Sequence, residues 1–292
     1  MNYPEQLKTF QKNHDFFIGI DSDGCAFPTM ELKHKECFIP NIIKYWGLQT
    51  ISKEAREAAE FVNLYSVHRG MNRFPALVLT IELLNKRKDI QESGIKLPDM
   101  TEVQKFIDSD KPTSNAGLAE YLKTNSHPDL ENLLKWSESV NASIADMVHG
   151  VSPFPHVKDS LEKVSQKADI MVVSSTPVEA LNKEWSEHSI AQYVQLISGQ
   201  EMGTKKEHLK IGASGKYKPS HILMIGDAPG DHKSAQSIKA LFFPIKPGHE
   251  TESWKLFYEE AADKFFNEEY DGAYQERLLK EFYALLPETP NW

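Results

Sequence analysis

The sequence predicts an α/β protein: a doubly wound parallel sheet, interrupted after its first strand by a long helical insertion. Three observations predict it. Between about residues 150 and 247, short apolar runs alternate with stretches of helical spacing, the pattern of a parallel sheet covered on both faces. An apolar run of strand type at 16–20 stands alone near the start and can bury its faces only by joining that sheet. Residues 29–149, between the two, carry apolar residues at helical spacing and no convincing strand.

The first strand ends in Asp21-Ser22-Asp23-Gly24, where a glycine lets the chain turn. Helical segments are then expected near 31–47, 52–68, 75–88, 101–109, 115–124 and 129–149, punctuated by Gly47, Gly70, Gly94, Pro98, Pro112 and Pro128. Composition changes at Gly150-Val151-Ser152-Pro153-Phe154-Pro155, which reads as a rigid linker. Helices near 157–167, 178–188, 205–212 and 231–239 then precede strands at 170–173, 194–197, 222–225 and 241–245. From about 251 the chain is helical again, with Trp254, Phe257, Phe265, Phe266, Tyr274, Leu278, Leu279, Phe282 and Leu286 as its packing face. The expected domains are 1–28 with 150–292, and 29–149.

Composition narrows the function. The chain has 292 residues and a net charge of −9, so it lacks the electrostatic footprint of a nucleic-acid binder. No apolar run approaches the roughly 20 residues of a membrane span. Cys25 and Cys37 form no CxxC or disulfide framework, which fits a reducing compartment. The N-terminal residues show no basic region followed by an apolar one. A cytoplasmic protein is the expectation. Histidines show no HExxH spacing, and Ser198 to Lys206 fails the phosphate-loop pattern because Glu207 follows the lysine pair.

The residues at the strand ends are more telling. Ligands of an open parallel sheet collect outside the carboxyl ends of its strands. Those ends carry Asp21 and Asp23, then Ser174-Ser175-Thr176, then Ser198-Gly199 leading to Lys205 and Lys206, then Gly226-Asp227-Ala228-Pro229-Gly230-Asp231. Each alone is an ordinary turn. Together they supply a phosphoryl-transfer site. Mg²⁺ takes hard oxygen ligands, which Asp21, Asp227 and the backbone carbonyl of Asp23 can offer. A carboxylate can attack phosphorus, splitting one difficult displacement into two. Ser174 and one of the two lysines can hold phosphoryl oxygens, and a second carboxyl can protonate the leaving group and later activate water.

These residues, in this order and context, make residues 14–30 and 150–247 resemble the haloacid dehalogenase-like hydrolase superfamily. The resemblance implies a Rossmann-like core, Mg²⁺ dependence and phosphatase activity, with 29–149 as a helical cap inserted after the first motif. It makes Asp21 the nucleophile, Asp23 the general acid/base and Ser174 the phosphate-binding hydroxyl, with the Ser175 amide beside it. Lys205, or else Lys206, becomes the phosphate-binding lysine. Asp227 becomes a metal ligand, and Asp231 the carboxylate that positions metal-bound water or the lysine. Asp23 argues against halide chemistry, since halide leaves without a proton. The expected substrate is a small phosphorylated metabolite. A phosphomutase, a phosphonate-cleaving relative and a non-catalytic ligand-binding member are the alternatives. In the cap, Arg69 and Arg73 flank a glycine break and are candidates to clamp a second anionic group of the substrate; solvated helix-end arginines are the plainer reading.

Overall fold

Five strands, β1 (Phe16–Ile20), β2 (Ala168–Val173), β3 (Leu196–Ser198), β4 (Ile222–Gly226) and β5 (Leu241–Pro244), form one sheet in the order β3-β2-β1-β4-β5. All four pairings are parallel. The computed structural model describes residues 3–292. The order of crossovers reverses at β1, so the ends of β1 and β4 lie side by side at the switch point where such sheets place ligands.

Strand alternation divides the core into two layers. Ile18, Ile20, Ile170, Val172, Leu223 and Ile225 face one side, where Trp185, Trp254, Phe257 and Phe265 cover them. Phe17, Met171, Val173, Met224 and Phe242 face the other, under Leu7, Leu209 and Tyr217. Because both faces are covered, β2, β4 and β5 are buried at every residue. The C-terminal helical segments, Glu250–Leu256, Ala262–Phe266 and Ala273–Ala284, bury Trp254, Phe265, Leu278 and Phe282 against this core. Phe266, Tyr274 and Leu279 of the expected face are only partly buried. A short helix, Tyr3–Lys8, escaped the sequence reading because it buries a single side chain, Leu7, and shows no periodicity.

One buried charge ties these parts together. Asp169, inside β2 and fully buried, accepts the backbone N–H groups of Asn13 and His14, the Tyr217 hydroxyl and the Gln195 side-chain amide. His14 Nδ1 lies 3.0 Å away. Burial opposes the charge, but these donors outweigh it and hold the carboxyl below its usual range. A depressed carboxylate pKa stabilises the fold above the unfolded value near 3.9 and is lost as pH falls through the folded value. Asp169→Asn turns an acceptor into a donor among donors. It should cost about 2–4 kcal/mol at pH 7, read in urea melts, and flatten stability against pH below about 5.

The chain separates into two compact units. One runs up to Met30 and resumes over Gly150–Leu286; the other is Glu31–His149 with Pro287–Trp292. The last six residues therefore pack with the helical unit, where Trp292 lies edge-on to Phe61 and under the Arg87 guanidinium. Arg87 is itself held by Glu57 and Asp89. The helical unit has its own apolar centre around Phe74, Phe106, Leu118 and Trp136, contributed by the helices Arg73–Lys86, Thr101–Ile107, Asn115–Leu122 and Pro128–Met147. A π-helical turn at Lys33–Phe38 lies within the expected helix at 31–47, whose backbone stays helical on both sides of it. Among the described residues no helix is long and apolar enough to cross a membrane.

Candidate active site

The turn after β1 builds the first half of the site. Gly24 at φ +77° lets the chain double back, and the Ser22 carbonyl accepts the amides of Ala26 and Phe27. Alternation sends the Ser22 side chain away from Asp21 and Asp23, where its hydroxyl takes the Trp185 indole N–H and donates to Glu184. The Ser22 N–H donates to Asp21 Oδ1 at 2.8 Å. Asp21 itself continues the sheet, its N–H bonded to the Ile225 carbonyl of β4.

The second half comes from two helix starts. Thr204 and Glu207 form a capping box, hydroxyl to the Glu207 amide and carboxylate to the Thr204 amide, which starts the helix Lys205–Gly212. Lys205 is thereby its first residue. After β4, Pro229 opens the helix Pro229–Ser237, and Asp231 one turn in accepts the Ala228 N–H. Gly226 makes room for it: a Cβ there would lie 2.5 Å from the Asp231 side chain.

Asp21, Asp227 and Asp231 converge, each with a carboxylate oxygen within 4.8 Å of the others. Asp21 is 5% exposed and the other two are fully buried. Lys205 Nζ bridges Asp21 Oδ2 at 2.7 Å and Asp231 Oδ1 at 2.6 Å. Burial pushes the Asp21 carboxyl well above the usual carboxylate range; Lys205 pulls it down, and Asp231 and Asp227 push it further up. Burial alone would discharge Lys205, but the two carboxylates outweigh it and raise its pKa above that of ordinary lysine. The Lys205 ammonium thus bridges two of the three buried carboxylates. The cluster's donor set is all carboxylate oxygen, the chemistry a hard divalent cation prefers.

The other expected residues lie at the neighbouring strand end and in the turn after β1. The buried Ser174 continues from β2, its N–H bonded to the Ser198 carbonyl of β3. Ser175 is exposed. Asp23, half-buried, is outside the three-carboxylate cluster and accepts the hydroxyls of Thr29 and Thr176, one on each oxygen. Both threonines escaped the sequence reading. Thr176 was legible only as part of a run of hydroxyl residues, and nothing in the sequence singles out Thr29.

Two expectations need correction. Lys206 is exposed: consecutive helical residues point about 100° apart, so a helix that aims Lys205 inward turns Lys206 outward. Arg69 and Arg73 are engaged within the helical unit. Arg69 is 3% exposed and donates to the Leu64 carbonyl. Arg73 donates to Ser137 and Asn141 and stacks on Phe38, and burial lowers its pKa to about 10. Arg69 thus holds the end of the helix Ser52–Leu64 and Arg73 ties its helix to Pro128–Met147, the work of structural rather than solvated arginines.

Residues 80–243, more than half of the chain, match the family model described as haloacid dehalogenase-like hydrolase. Asp21 and Asp23 lie outside the matched segment. Among solved structures, the chain is similar to a haloacid dehalogenase-like family hydrolase from Streptococcus pneumoniae, at 15% identity and a TM-score of 0.43, over 91% of this chain and 98% of that one. It is also similar to a hydrolase of that superfamily from Geobacter sulfurreducens, at 13% identity and a TM-score of 0.39, over 81% and 90% of the two chains. A third, a haloacid dehalogenase-like family hydrolase from Xanthomonas campestris, shows 9% identity and a TM-score of 0.40 over 88% and 97%. No curated protein matches the sequence.

Proposed function

The chain belongs to the haloacid dehalogenase-like hydrolase family, and from that premise we propose that it is a Mg²⁺-dependent phosphatase of small phosphorylated metabolites. The observation that carries the reading is the buried convergence of Asp21, Asp227 and Asp231 at the switch point of the sheet, with Lys205 bridging Asp21 and Asp231. Asp21, Asp227 and the carbonyl of Asp23 would hold the metal, with Asp231 beside it. When bound, Mg²⁺ would offset the cluster's negative charge and polarise a phosphoryl oxygen.

The chain's own residues do the rest. Asp21 attacks phosphorus and becomes an aspartyl-phosphate, its carboxylate oriented by the Ser22 N–H. The Ser174 hydroxyl, the Ser175 N–H and Lys205 hold the phosphoryl oxygens as charge develops on them. Asp23 hands its proton to the departing ester oxygen. It then takes a proton from the water that hydrolyses the aspartyl-phosphate. We assign the helical unit the role of a cap that selects the leaving group. Cys25 and Cys37 are both free and buried, in keeping with a reducing compartment, and we place the protein in the cytoplasm.

The test is phosphate release from nitrophenyl phosphate and a panel of alkyl phosphates. Release with Mg²⁺, lost in EDTA and restored by added Mg²⁺, is expected. Mg²⁺ should also raise the melting temperature by a few degrees at saturation, because it binds the folded cluster and not the unfolded chain. Absence of metal-dependent release from every ester would overturn the reading.

A further inference from the structure

We infer that Thr176 is a positioning residue for Asp23, setting the direction in which that carboxyl delivers its proton. The inference rests on the phosphatase reading above and deepens it at one group. Asp23 lies past the end of β1 and is only half-buried, so core packing does not fix its side chain. Two hydroxyls do. Thr176 Oγ1 donates to Oδ2 at 2.7 Å, and Thr29 Oγ1 donates to Oδ1. One hydroxyl on each oxygen fixes the plane of the carboxyl, and with it the directions in which its oxygens can exchange a proton.

Thr176 is well built for the task. Its N–H donates to Ser174 Oγ at 3.2 Å, and its carbonyl accepts the Gln200 N–H. Pro177 follows, which restricts the backbone of Thr176 to extended conformations and leads directly into the helix Val178–Glu187. A β-branched side chain is also stiff at χ1. The hydroxyl therefore stands on a fixed backbone. That same backbone carries Ser174, two residues away, the proposed holder of the phosphoryl group. Thr176 thus ties the position of the acid to the position of the phosphate. In the step it supports, the ester P–O bond breaks, the departing oxygen takes the Asp23 proton, and the Thr176 hydroxyl donates to the carboxylate left behind.

Leaving groups provide the test. An alkoxide needs a proton to depart, whereas nitrophenolate does not. kcat/KM covers the steps up to transfer of phosphate to the enzyme and excludes the later hydrolysis. Thr176→Val should lower kcat/KM for glycerol 2-phosphate by about 10-fold or more, and for nitrophenyl phosphate by less than about 3-fold. Thr176→Ser, which keeps the hydroxyl, should restore the alkyl ester to within about 3-fold of wild type. Equal losses on both esters, no loss on the alkyl ester, or failure of serine to restore it would overturn the inference. If glycerol 2-phosphate is not turned over, an alkyl phosphate of the panel that is takes its place; a wild type that releases phosphate from no ester of the panel would instead overturn the phosphatase reading, and the inference with it. Melting temperatures of both variants separate a folding defect from a kinetic one, and the serine variant decides the case if the valine variant does not fold.

Discussion

Asp21→Asn is expected to lower Mg²⁺-dependent phosphate release by at least about 10⁴-fold, the scale of losing a covalent nucleophile that works as part of a unit. The change removes one negative charge and almost no volume. Its effect on stability is the difference of two opposed terms. The amide can no longer accept from both Ser22 and Lys205, since one end of it is now a donor. Against that, the change relieves the burial of a charge and the repulsion from Asp231 and Asp227, which together already push Asp21 toward its protonated form. The melting temperature of the metal-free protein should therefore stay within about 4 °C of wild type. The rise produced by Mg²⁺ should shrink, because a proposed ligand has been lost. Near-normal turnover in this variant would remove Asp21 as nucleophile.

The parts of this site that were legible in the sequence are those set by backbone architecture. Apolar strands ending in carboxylates and hydroxyls are readable because strand ends of a parallel sheet share one edge, so Asp21, Ser174 and Asp227 could be brought together on paper. The choice of Lys205 over Lys206 depends on where the helix begins. The Thr204–Glu207 capping box decides that, and once the box is seen the outward turn of Lys206 follows. Thr29, Thr176, Trp185 and Glu184 were not readable as site residues. Each reaches the Asp21–Asp23 turn through a side-chain bond between segments, and no spacing encodes such a bond. Asp169 was overlooked for a related reason. A carboxylate beside an expected strand reads as a boundary, whereas here donors from Asn13, His14, Gln195 and Tyr217 make its burial inside β2 tolerable. The arginines of the helical unit show the converse. Two cations at a helix break suggest an anion site, but the Leu64 carbonyl, Ser137 and Asn141 engage them first.

Lys205→Met should be the most damaging single change to the metal-free fold. It leaves Asp21, Asp227 and Asp231 buried together without the ammonium that bridges two of them. Removing one partner of a buried ionic cluster costs about 3–5 kcal/mol, mostly the penalty of the charge left behind. The cluster can respond by binding a proton or a cation. Loss of the ammonium leaves burial and the neighbouring carboxylates to push the Asp21 pKa further up, so the folded state binds more protons than the unfolded chain above the ordinary carboxylate range. Stability must then rise as pH is lowered from 7 toward 5. Mg²⁺ should recover part of the loss at pH 7 by supplying the missing positive charge. Phosphate release should fall by at least about 10²-fold even with Mg²⁺, since Lys205 is also the proposed holder of the phosphoryl oxygens. Lys206→Met, one residue on, should change stability by no more than about 0.5 kcal/mol and leave turnover near wild type, because its side chain points to solvent. Urea melts of both variants at pH 7 and pH 5, with and without Mg²⁺, would check this. A Lys205→Met protein as stable as wild type at pH 7, or equal losses in the two variants, would show that the ammonium does not neutralise the cluster.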